Sequence, residues 1–180
     1  MEFDTTAVRG KSKPDPTTGA IIPPLYQTAT YVLEEIGRDK GFDYTRSSNP
    51  TRQELEKHLA AIEGGKHAIA FSSGMASADS CMKLLRQGDH VVCCDDVYGG
   101  TARLFNNLMT NYGVEFTYVD SQDASQVSGA IRPETKMVWI ETPTNPLLKV
   151  TDLEAVGEIA EARDLLYVVD TTFATPVFLR

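Results

Sequence analysis

Downstream of Gly65, short apolar runs alternate regularly with amphipathic segments, and this alternation constrains the fold more than any other feature of the chain. The runs at His67–Phe71, His90–Cys94, Val114–Val119, Met137–Ile140 and Leu165–Val169 have strand length and are apolar nearly throughout. A strand exposed on one face would alternate apolar and polar residues, so continuous apolarity implies burial on both faces. Strands separated by helix-length segments pair in parallel through crossovers. The expected fold is therefore a doubly wound α/β arrangement, a mostly parallel sheet with helices on both faces.

Residues 1–48 read differently. Pro14, Pro16, Pro23 and Pro24 with scattered glycines and no sustained periodicity predict an extended N-terminal arm. A helix is expected to begin at Asn49-Pro50, with Asn as N-cap and Pro at the first helical position, and to stop at Gly64-Gly65. Leu55, Leu59 and Ile62 would share one face of it. The division is thus an arm over 1–48 and a domain over 49–180.

Charge and composition exclude several function classes. With 17 Lys and Arg against 25 Asp and Glu, the net charge is −8, which disfavours nucleic acid as a partner while leaving room for a local anion site. No apolar run reaches the roughly 18 residues of a membrane span, and the first residues have no secretory signal pattern, so a cytoplasmic protein is expected. Cys81, Cys93 and Cys94 have neither metal-ligand spacing nor an even count, and packing is their expected role; no metal site is expected.

In a doubly wound sheet, ligands sit beyond the carboxyl ends of the strands. After the first run come Ser72-Ser73-Gly74-Met75, small residues opening a helix whose free N–H groups suit a phosphate, although a Ser-Gly turn also caps many ordinary helices. The spaced glycines of a dinucleotide site are absent, and His67 follows Lys66 where a P-loop needs Ser or Thr. The second run leads to Tyr98-Gly99-Gly100, where a ring could stack on a flat ligand or pack on its own helix. The fourth ends in Glu141-Thr142-Pro143-Thr144-Asn145-Pro146, whose prolines would hold the loop extended with its amide aimed at a ligand, or form a plain proline turn. The fifth ends in Asp170, an acid needing a partner: a protonated ring nitrogen, a helix N-terminus or a surface cation would each serve.

A phosphate cradle, a stacking ring, an amide and an acid at one sheet edge are together the fittings of a pyridoxal phosphate site. The stretches YTRSSNPTR (44–52), AFSSGMAS (70–77), DDVYGGTARLF (95–105), WIETPTNPLLKV (139–150) and VVDTTFATP (168–176) resemble, in order and spacing, the cystathionine γ-synthase and γ-lyase family of cysteine and methionine metabolism. The resemblance extends into the arm through TTGAIIPPLYQTATY. It implies a fold type I large domain, pyridoxal 5′-phosphate as cofactor, a small sulfur amino acid as substrate, and a homo-oligomer, a dimer of dimers, with sites shared across an interface. By the same resemblance Ser73, Gly74 and Met75 would hold the phosphate. Tyr98 would stack on the ring and assist proton transfer, Asn145 would orient the ring 3′ oxygen, and Asp170 would pair with the ring nitrogen while Thr172 supports the ring face. Tyr44 and Arg46 look like the arm residues that reach a neighbour's phosphate.

The family also uses a lysine to attach the cofactor, on a later strand than the Asp. The last lysine here is Lys149, which matches a non-catalytic basic position, so the chain resembles the N-terminal part of a longer enzyme. Thr171 stands where many members have Asn, and Thr45 where Ser is frequent. Gly100 stands where methionine γ-lyases usually carry a cysteine, which favours a cystathionine-handling member over that branch. The implied activity is γ-elimination or γ-replacement at cystathionine or a homoserine ester. Cystathionine β-lyase, acylhomoserine sulfhydrylase, methionine γ-lyase and a non-catalytic phosphate- or cofactor-binding chain are the alternatives.

Overall fold

A computed structural model describes residues 2–10 and 12–179. They form two compact units, one running to Ala70 and the other spanning Phe71–Leu179.

In the first unit, helix α2 (Pro50–Ile62) has the bounds its sequence predicts. Asn49 Oδ1 accepts the Thr51 N–H at 2.8 Å, and its amide donates to the Tyr26 carbonyl at 3.1 Å and to Thr45 Oγ1 at 2.8 Å. One capping residue therefore fixes both the helix start and the chain running up to it. The expected apolar face is only partly covered, since Leu55 is 52% exposed. Helix α1 (Phe3–Arg9) lies within the stretch read as irregular. Gly10, at φ 57°, closes it by donating its N–H to the Thr6 carbonyl at 2.7 Å, and the His58 ring nitrogen of α2 meets the Ala7 carbonyl at 3.1 Å. Seven residues carry too little periodicity to announce such a helix, and contact with α2 stabilises it.

The second unit is a four-stranded parallel sheet, in the order β2-β1-β3-β4, with β1 (His90–Cys94), β2 (Glu115–Val119), β3 (Thr135–Glu141) and β4 (Leu166–Asp170). The central strands are the most apolar: all of β1 is buried, and β3 is buried except at Lys136. The outer strands are mostly half-buried. Helices α3 (Gly74–Met82), α5 (Ala124–Ala130) and α6 (Leu153–Glu161) add Met82, Val127 and Val156 to one core. Helix α4 (Gly99–Arg103) continues through a π-helical turn at Leu104–Leu108, which delivers Phe105 to stack on Phe116 at 4.6 Å and to meet Trp139 edge-on at 5.3 Å. The last helix, α7, spans Thr175–Phe178.

The expected strand at His67–Phe71 does not form. No strand pairs with it among the described residues, and Ile69 and Phe71 are exposed, so the run has the composition of a buried strand without a ladder to join. Cys93 and Cys94 are buried in the core as expected, and Cys81 packs beside it. No described helix is long and apolar enough to cross a membrane.

The chain leaves β1 for β2 on one side, then returns past β1 to β3 and β4 on the other. The switch point of this doubly wound sheet therefore lies between β1 and β3, where the backbone leaving the two strand ends diverges and opens a crevice.

Candidate active site

Four chain segments end at that crevice. The residues expected there, Ser73, Gly74, Met75, Tyr98, Asn145, Asp170 and Thr172, all line one cavity of about 350 Å³, joined by Glu141, Thr101 and Phe173.

At the start of α3, Ser73 is extended and its hydroxyl oxygen accepts the Ala76 N–H at 3.1 Å. The other first-turn N–H groups have no intrahelical acceptor, so the positive end of the helix dipole faces the cavity with donors to spare. Beyond β1, Tyr98 opens α4 and is 44% exposed. The ring and the Met75 sulfur both close on Gly100.

The loop after β3 is a folded turn rather than the extended stretch that its prolines suggest. Thr144 is fully buried, its carbonyl accepts the Leu148 N–H at 3.1 Å, and its hydroxyl oxygen accepts the Lys149 N–H at 2.9 Å. Collecting both N–H groups on one buried residue forces the reversal. The Asn145 side-chain amide has no partner among the described residues and is free to engage a ligand.

Asp170 ends β4 in register with Glu141 of β3. Its Oδ1 accepts two bonds from Thr172, from the N–H at 3.0 Å and the hydroxyl at 2.5 Å. Oδ2 has no partner among the described residues. Asp170 and Glu141 are both acids, and no Lys, Arg or His lines the cavity among the described residues, so this end of it favours a cation. Burial pushes the Glu141 carboxyl above the usual carboxylate range; backbone N–H groups from Tyr98 and Asn145 pull against that shift, and the Asp170 and Asp96 charges add to it.

Lys149 is committed elsewhere. Its ammonium lies 2.8 Å from an Asp95 oxygen and 3.3 Å from Asp120, and these bonds raise its pKa, which keeps it protonated. Tyr44 and Arg46 belong to the first unit, where the Arg46 guanidinium lies 4.4 Å from the Tyr44 ring centre, and neither is among the cavity's lining residues.

Among the described residues, Glu141 is the one ionisable lining residue that the sequence reading did not place at the site. The available signal was the one that singled out Asp170, an acid closing an apolar strand.

The cavity suits pyridoxal phosphate on chemical grounds. It has surplus helix N–H groups for a phosphate, a half-exposed ring for a planar ligand, an unengaged amide, and an unpartnered carboxylate oxygen for a protonated ring nitrogen. A parallel α/β sheet with these groups at its switch point defines the class of cofactor-binding α/β enzymes.

The comparisons make the assignment more specific. Residues 4–180 match the profile of the family described as "Cys/Met metabolism PLP-dependent enzyme". A probable cystathionine gamma-synthase from Herpetosiphon aurantiacus is 45% identical over 174 residues, covering 97% of this chain and 54% of the relative. The cystathionine gamma-lyase of Bacillus subtilis is 46% identical over 178 residues, covering 99% of this chain and 47% of the relative. The crystal structure of metB from Corynebacterium glutamicum superposes with a TM-score of 0.94 at 43% identity, over 98% of this chain and 46% of that one. The chain belongs to the family of pyridoxal-phosphate-dependent enzymes of cysteine and methionine metabolism. It spans about half the length of the curated relatives it matches.

Proposed function

We propose that this chain acts in trans-sulfuration, as a cystathionine γ-synthase or γ-lyase type enzyme that eliminates or replaces the γ-substituent of cystathionine or a homoserine ester. The observation that carries the reading is the convergence on one cavity of groups from four separate segments, each chemically matched to a different part of one cofactor. When bound, pyridoxal phosphate supplies an electron sink that stabilises negative charge at the substrate's α-carbon.

The chain's own residues serve that chemistry as follows. Gly74 and Met75 donate backbone N–H groups to the phosphate, and Ser73 shapes their turn. Tyr98 covers one face of the ring, excludes water there, and offers a phenol for proton transfer. Asn145 donates its amide to the ring oxygen. Asp170 holds a proton on the ring nitrogen, and Thr172 holds Asp170 in place through its two bonds. Tyr44 and Arg46 serve a neighbouring subunit's phosphate in a homo-oligomer, and the protein works in the cytoplasm.

Titration with pyridoxal 5′-phosphate, followed by absorbance and by quenching of intrinsic fluorescence, tests the reading. The chain should take up the cofactor saturably. Asp170→Asn should weaken uptake by about 10- to 100-fold, the range expected for a lost bond to a charged group, with an unchanged far-ultraviolet circular dichroism spectrum. No saturable uptake, or equal affinity in the two proteins, would overturn it.

A further inference from the structure

The Glu141 carboxylate joins two loops. Its Oε2 accepts the Tyr98 N–H at 2.7 Å, and its Oε1 accepts the Asn145 N–H at 2.8 Å. One donor lies 43 residues away in the chain and the other 4, yet each takes one oxygen of the same group. The Glu141 N–H points in turn at the Cys94 sulfur at 3.3 Å, which ties the carboxylate's own strand to the end of β1. Glu141 is 5% exposed, on the cavity wall.

This arrangement is costly. The carboxylate stands beside its register partner Asp170, with Asp96 also near and no cationic side chain lining the cavity among the described residues. A neutral side chain would avoid the burial of charge and the repulsion. What a neutral amide cannot supply is two acceptor oxygens, because a glutamine would turn an NH₂ group toward one of the N–H donors. A second carboxylate joins the same two loops: Asp96, in the loop after β1, accepts the Leu147 N–H at 3.0 Å and also the Thr144 hydroxyl through its Oδ2. Asp96 binds the loop on either side of Asn145, at Thr144 and Leu147, whereas Glu141 binds the ligand-facing residues themselves.

We propose that Glu141 is a positioning residue that sets the separation between Tyr98 and Asn145, and thereby the slot that receives a planar aromatic ligand. The ligand's identity as pyridoxal phosphate rests on the function proposed above; the clamp on the two loops does not. Glu141 acts through the backbone of its partners, so its removal changes the spacing of the slot while the sheet stays intact.

The test compares the full chain with Glu141→Gln and Glu141→Asp. Amide hydrogen exchange, read by mass spectrometry without ligand, should rise in both 95–101 and 143–148 in the glutamine variant while β1 and β3 keep their protection. The aspartate, one methylene shorter, cannot span both donors and should loosen one segment more than the other. The glutamine variant should also bind pyridoxal 5′-phosphate about tenfold more weakly, as expected for a disturbed charge-assisted contact, at an unchanged melting temperature, and with a shifted absorption maximum for the bound cofactor. Unchanged exchange in either segment of the glutamine variant would overturn the clamp. Loosened loops with unaltered affinity and spectrum would overturn the positioning role. If the wild-type chain takes up no pyridoxal phosphate, the proposed function fails while exchange still decides the clamp. If both variants fail to fold, Glu141 is a residue of the fold and the proposal is wrong.

Discussion

The Tyr98 ring lies so close over Gly100 that a methyl group on the glycine would stand 2.4 Å from a ring carbon, and 2.8 Å from the Met75 sulfur. Gly100 is buried, so such a methyl group could not turn out into solvent. Gly100→Ala should therefore displace the half-exposed ring, which can swing outward, and shift the flexible Met75. We expect a stability loss of about 1–2 kcal/mol, at the mild end of the range for overpacking, measured by urea unfolding. Weakened pyridoxal phosphate uptake should accompany it. A variant with wild-type affinity would show that the ring's position against Gly100 is immaterial to the slot.

Lys149 is the last lysine of the chain, and its ion pairs with Asp95 and Asp120 predict an inert amine. The nucleophile in imine formation is the neutral amine, which these carboxylates suppress by raising the pKa. The lysine side chain is 20% exposed, against 63% for Lys57 and 68% for Lys83. Brief treatment with pyridoxal phosphate and borohydride, mapped by peptide mass spectrometry, should label Lys57 and Lys83 before Lys149. Preferential labelling of Lys149 would overturn its structural assignment.

His90 gives the second unit a sensitivity to acid. Its ring is fully buried at the start of β1, between the Thr135 hydroxyl at 2.8 Å and the Thr117 hydroxyl at 2.9 Å. Burial pushes its pKa below the ordinary value, and Arg132 adds to that, while Glu115 and Glu134 oppose it. The unfolded chain then binds the proton more readily than the folded one. The contribution to stability is accordingly present above about pH 6.5, the ordinary histidine value, and is lost as the pH falls below it toward the folded-state pKa. Urea-derived unfolding free energies should fall from pH 7 to pH 5, and the fall should be shallower in His90→Gln. Parallel curves would indicate that carboxylates alone set the acid limit.

The roles proposed for Tyr44 and Arg46 predict complementation between subunits. Arg46→Ala and Asp170→Asn chains, each binding pyridoxal phosphate weakly, would be unfolded, mixed equally and refolded together. If Arg46 serves the neighbour's site in a two-fold dimer, each mixed dimer has one intact site, and random pairing restores about a quarter of the tight sites. If Arg46 serves its own subunit, every site keeps one defect and none returns. No recovery, with exchange verified by differently tagged chains, would leave Arg46 to its contact with Tyr44.

The sheet's centre was legible because its residues leave no alternative. His90–Cys94 is apolar on both faces and buried throughout, and it has the predicted bounds. β3 extends past its apolar run to Glu141 because the ladder with β4 continues as far as the pair Glu141 and Asp170. The strand predicted at His67–Phe71 shows the converse, that composition specifies a strand's readiness to pair and not the presence of a neighbour. At the cavity, Asp170 could be read from its place at a strand end, whereas the role of Glu141 depends on which distant backbone N–H groups fall on its two oxygens. No local pattern encodes that.

The cavity draws its walls from Ser73 at one end of the second unit's sequence to Phe173 at the other, across strands joined out of sequence order. Such pairings close long loops before any contact rewards them, so the unit should fold slowly, with no early fragment that already carries the pocket. Ligand uptake therefore reports completion of the whole sheet. By the same linkage, a bound cofactor raises the free energy of every opening that unzips β1 from β3. A chain held in excess ligand should consequently resist proteolysis across the entire unit, well beyond the loops the ligand touches.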